Sequence, residues 1–113
     1  MKSQTPEYSD ADFERVLARE FPGGSAKDAR GVLLIYGSDA SHTSTLRVRM
    51  ACLKLASGDL ARLRDSVNAA CGDPRDVLAW AEYGHAWNAR DGAEKRAARK
   101  QDWEELQEWL ARR

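Results

Sequence analysis

The sequence predicts an all-α fold, a compact bundle of about five short helices followed by a longer C-terminal one. Apolar residues recur at steps of three and four along most of the chain. Gly58 and Gly72 stand where a helix ends in a left-handed residue, and each is followed at once by an aspartate able to cap the next helix. The one run that reads as a strand, V-L-L-I-Y at 32–36, has no second β-like run to pair with, so a strand there would leave its backbone unpaired. At 113 residues the chain fits one domain with a single core.

In chain order, Ser9 or Asp10 caps a first helix whose Phe13, Val16, Leu17 and Phe21 share one face, and Pro22-Gly23-Gly24 ends it. Ser25 with Asp28 resembles a capping box for a second helix. Ala29, Val32, Leu33 and Tyr36 line that helix, Leu34 and Ile35 widen the face, and Gly37 is its stop. Asp39 is the candidate cap for a third, although Ser41, His42, Thr43 and Ser44 are weak helix formers and the cap slides readily to Ser41 or Thr43. The body of this helix carries Leu46, Val48, Met50, Cys52, Leu53 and Leu55 around most of its axis, with Arg47, Lys54 and Ser57 on one narrow polar side. A helix apolar nearly all round belongs at the centre of a bundle.

The fourth helix shows a single stripe of Leu60, Leu63, Val67, Ala70 and Cys71. For the fifth, Asp73 is the cap, Pro74 takes the first helical position and Asp76 completes a box, with Val77, Leu78, Trp80 and Ala81 as the buried side. From His85 to Gly92 the chain reads as a breaker-rich loop in which Trp87 needs a surface to lie on. Residues 93–113 lack Gly and Pro and form the last helix. Its apolar side, Trp103, Leu106, Trp109 and Leu110, is confined to the final turns; projected backward it meets Arg96 and Arg99. The organisation expected is a core over 1–84, with 85–113 packing on that core or on a second subunit.

Two blocks, R-V-R-M-A-C-L-K-L-A-S-G-D-L-A-R-L from Arg47 and D-P-R-D-V-L-A-W-A-E-Y from Asp73, resemble a family of small uncharacterised bacterial all-helical proteins. That family's pattern looks like R-V-x-x-A-x-L-K-L-S-x-G-x-L-x-x-L followed by D-Y-R-D-V-L-A-x-A-E-Y, and the similarity covers about residues 31–83. Pro74 departs from the aromatic usual there, and Gly84 from a proline. The resemblance implies helices and assigns no activity.

Charge excludes more than it suggests. Eighteen basic and eighteen acidic side chains balance, so nothing draws the whole chain to a phosphate polymer or an anionic membrane. No apolar window is long enough to span a bilayer, and no secretory h-region opens the chain, so the expectation is a cytoplasmic protein. Cys52 and Cys71 lie inside helical patterns and read as buried thiols.

Arg49 is the first candidate for chemistry, because helical spacing sets it among Cys52, Leu53 and Ala56. Its guanidinium requires carboxylate or carbonyl partners, so it is expected to tie to an acid such as Glu82 or Asp76, or else to bind an anion. Arg47 reads as solvated. No catalytic constellation is visible, no cofactor is implied, and His42, His85, Cys52 and Cys71 have none of the short spacings of zinc ligands. Lys95, Arg96, Arg99 and Lys100 form one basic cluster, bracketed by Glu94, Asp102, Glu104 and Glu105, which makes nucleic-acid binding the less favoured outcome.

The function expected is therefore a small interaction module, not an enzyme. It would dock on a protein partner or form a homodimer through Trp103, Leu106, Trp109 and Leu110. The alternative is an anionic-ligand or nucleic-acid binder using Arg49 or the Lys95–Lys100 cluster.

Overall fold

The computed structural model describes residues 5–112. Six α-helices run in order: α1 (Asp10–Glu20), α2 (Ser25–Leu33), α3 (Thr45–Ala56), α4 (Leu60–Gly72), α5 (Pro74–Glu82) and α6 (Gly92–Ala111), with one 3-10 turn at Ala86–Asn88 before the last. The described residues contain no strand, and no helix among them is long and apolar enough to cross a membrane. The principal extents are 44 × 32 × 23 Å.

α3 is the hub, packed against α1, α4 and α5. Its sequence dictates this: Val48, Met50, Ala51, Cys52, Leu53 and Ala56 are all buried, on more than one side of the axis. α1 contributes Phe13, Val16 and Leu17, α4 contributes Leu63, Val67 and Ala70, and α5 contributes Val77 and Ala81 to the same cluster.

Local side chains punctuate the helices. Ser9 and Asp12 form a reciprocal capping box, both bonds at 3.0 Å. Asp59 caps α4 by accepting from the Arg62 N–H at 3.1 Å. Asp73 closes one helix and opens the next: its N–H donates to Ala69 O at 2.8 Å while its carboxylate accepts from Arg75 N at 3.0 Å. Because that N–H is already spent, the expected box between Asp73 and Asp76 does not form.

Three further expectations are corrected. Gly72 is helical; the left-handed residues after α3 are Ser57 (φ 49°) and Gly58 (φ 79°). Ser25 does not cap α2, since its hydroxyl donates to Pro22 O at 2.8 Å. Asp39 does not cap α3, which begins only at Thr45; its carboxylate instead accepts from the backbone and hydroxyl of Ser41, both at 2.8 Å.

The chain between α2 and α3 is ordered by its own side chains. Tyr36 is buried, its hydroxyl donating to Thr43 O at 2.7 Å and its ring stacked on His42 at 4.5 Å between centroids. His42 Nδ1 accepts from Gly37 N at 2.7 Å. Since α2 ends at Leu33, Leu34 and Ile35 leave the helical face that was expected to include them and stand about half exposed.

Candidate functional site

α6 docks on its own bundle. Asp91 caps it by accepting from Glu94 N at 2.9 Å, and its first half lies in solvent; Lys95, Arg96, Arg99 and Lys100 are all exposed. Burial starts at Asp102, where the helix meets the 3-10 turn and α5. Leu106 and Trp109 are buried in the common core, Leu110 packs against it and Trp103 is half-buried.

The face expected to meet a partner is thus covered by the chain itself. α1 supplies the reason. Arg19 Nη1 donates to Trp109 O at 2.8 Å and Arg112 O at 2.7 Å, and its guanidinium lies 5.1 Å from the Trp109 ring centroid. Arg15 Nη1 adds a bond to Arg112 O at 3.0 Å. Two cations at a helix C-terminus satisfy carbonyls that have no partner within the helix and complement its dipole. Docking within one chain also avoids the entropy cost of association.

The arginines of α3 exchange their expected roles. Arg47, not Arg49, takes Glu82: Nε donates to Oε2 at 3.0 Å and Nη2 to Oε1, a two-point pair across α3 and α5. Glu82 is buried, and the paired carboxylate raises the Arg47 pKa. Arg49 has no acid partner among the described residues. Its Nε donates to Tyr36 O at 2.9 Å and Leu33 O at 3.2 Å, closing the end of α2, and desolvation lowers its pKa. Asp76 is exposed. Arg49, Asp76 and Glu82 therefore do not form one site, and the Arg49 Nε is spent on two backbone carbonyls.

Glu82 on the inside turns α5. With Val77, Ala81 and Glu82 buried, Trp80 falls on the outer side and is 54% exposed, contrary to the expectation that it is buried. Trp87, in the following 3-10 turn, lies on no surface and is 72% exposed.

Between these tryptophans and α6 lies a polar cluster that no short spacing announces. Both oxygens of the buried Asp102 carboxylate accept backbone bonds, from His85 N at 2.9 Å and Ala86 N at 3.0 Å, so it caps the 3-10 turn. His85 Nε2 faces Glu105 at 3.0 and 3.1 Å from its two oxygens. That contact holds the Glu105 carboxyl below its usual pKa. The sequence places Asp102 and Glu105 one turn apart on one helix, which was legible; the return of His85 was not.

Glu105 also borders an open cleft of about 590 Å³ lined by Glu20, Lys54, Ser57, Glu108, Trp109 and Arg112. Three acids and two cations line it, so no single sign of charge dominates the cleft.

Scans of protein-family models, of curated proteins and of solved structures return no match to this chain. The resemblance of residues 31–83 rests on the sequence pattern alone.

Proposed function

We propose that this protein is a helical interaction module that docks through the corner formed by α5 and the 3-10 turn, with a second copy of the chain as occupant. The observation that carries this is the exposure of Trp80 and Trp87, two large indoles seven positions apart on one short segment. Tryptophan is enriched among the few residues that dominate binding energy, and an indole left more than half exposed by its own chain is suited to gain burial in a complex. Balanced formal charge gives two copies no net repulsion. A two-fold contact would bring four such rings together and satisfy both patches at once.

The alternative based on anion or nucleic-acid binding gains nothing from the geometry. Arg49 is engaged with carbonyls, and Lys100 lies 4.0 Å from Glu104 on the solvated half of α6. Acrylamide quenching of tryptophan fluorescence tests the proposal. Quenching that weakens as protein concentration rises, and that is weak and concentration-independent in a Trp80→Phe/Trp87→Phe chain, supports docking through these rings; concentration-independent quenching of the native chain opposes it.

A further inference from the structure

We infer that His85, Asp102 and Glu105 form a binding site for a divalent transition-metal ion of the zinc type, independent of the docking proposed above. One ligand atom from each residue can be chosen so that all lie within 4.8 Å of one another. The three groups come from two elements, the turn after α5 and the second half of α6, so chain folding creates the site.

The donor set selects the ion. One imidazole nitrogen with two carboxylates is a borderline N/O set suited to zinc and its neighbours, whereas magnesium and calcium favour oxygen-only shells with more ligands. The separation of one ligand pair also fits, and the exposed His85 and Glu105 side chains close the remaining distance to Asp102, which is within 4.8 Å. Two ligands at about 2.1 Å from a tetrahedral ion are roughly 3.4 Å apart, and the His85 Nε2 to Glu105 distances of 3.0 and 3.1 Å are already close to this.

Asp102 behaves as an oriented ligand. Its two backbone bonds fix the carboxylate plane, and each oxygen keeps a second lone pair available for coordination. His85 and Glu105 are exposed and adjust by side-chain rotation alone. Binding requires a neutral imidazole with its proton on Nδ1, so that the Nε2 lone pair faces the ion in place of Glu105. Three protein donors leave at least one position to water or to a partner's group.

Isothermal titration of the full-length, chelator-treated chain with zinc chloride tests the site, with magnesium chloride as the comparison ion. One zinc ion per chain and no heat from magnesium are expected. His85→Gln and Glu105→Gln, both at exposed positions that leave the Asp102 cap intact, should each weaken binding by more than the roughly tenfold that losing even an outer partner costs. His42→Gln and Cys71→Ser, which remove the other accessible soft donors, should leave it unchanged. Absence of zinc binding overturns the inference, as does binding that survives His85→Gln and Glu105→Gln or is lost with His42→Gln or Cys71→Ser.

Discussion

The Glu82 carboxylate, buried on the inner side of α5, is held by the Arg47 guanidinium of α3 through two parallel hydrogen bonds. This pair links the hub helix to the helix that carries Trp80, and it sets which side of α5 faces outward. Arg47→Ala should cost about 3 kcal/mol, the lower end for a broken buried pair, since the Arg47 side chain is 25% exposed. Arg49→Ala, which removes charge-assisted bonds to two carbonyls, should cost about 1.5 kcal/mol. Replacing both partners, Arg47→Met with Glu82→Leu, should recover most of the loss because no unpaired charge remains. Urea melts of the four chains check this order; equal losses for Arg47→Ala and Arg49→Ala would contradict it.

Two glycines should respond to alanine with opposite signs. A Cβ at Gly37 would lie 2.5 Å from Arg49 Nη2 and 2.8 Å from Thr45 Cγ2, at a φ of 110°, so Gly37→Ala is strained and should cost about 1–3 kcal/mol. Gly31 lies inside α2 with open space where its Cβ would be. Gly31→Ala should stabilise by about 0.4–1 kcal/mol. Thermal melts of both variants provide the comparison.

The thiols should differ in reactivity. Cys52 is fully buried, its pKa pushed up to about 12 by desolvation, while Cys71 is exposed. A thiol reagent at pH 8 should modify Cys71 rapidly and Cys52 only as the chain unfolds, because the thiolate is the reactive form. Two equally fast modifications under native conditions would contradict the burial of α3.

Acid should destabilise the fold below about pH 4. Asp12 is lowered by the Ser9 backbone bond, Glu14 by Arg30, Asp73 by Arg75 and Glu105 by His85. For each lowered carboxyl the unfolded chain binds a proton first as pH falls. Its contribution is therefore present above the unfolded pKa and lost as pH drops through the folded one. Circular dichroism between pH 7 and 2 should show a plateau above about pH 5 and loss of stability below about pH 4.

Much of the fold was legible because its signals are short-range. Ser9, Asp59 and Asp73 bond to amides two or three residues away, and α3 announces its central place by apolar residues on nearly every side. The local misreadings at Ser25, Asp39 and Gly72 aside, the errors that bear on the site have a different origin. Arg47 meets Glu82 across 35 positions and Arg19 meets the end of α6 across 90, so the sequence could not show which charges are drawn inward. With Val77, Ala81 and the paired Glu82 on the inner side of α5, Trp80 faces outward. Likewise, His85 reaches Glu105 across 20 positions, which no ligand-spacing rule anticipates.

Sedimentation equilibrium of the full chain, from about 1 to 200 μM where a weak dimer populates, tests the central claim most directly. The native chain should shift from monomer toward dimer across this range, while a Trp80→Ser/Trp87→Ser chain with unchanged helical content remains monomeric throughout. A native chain that is monomeric at every concentration, or a double variant that associates as the native chain does, would contradict docking through the α5 corner.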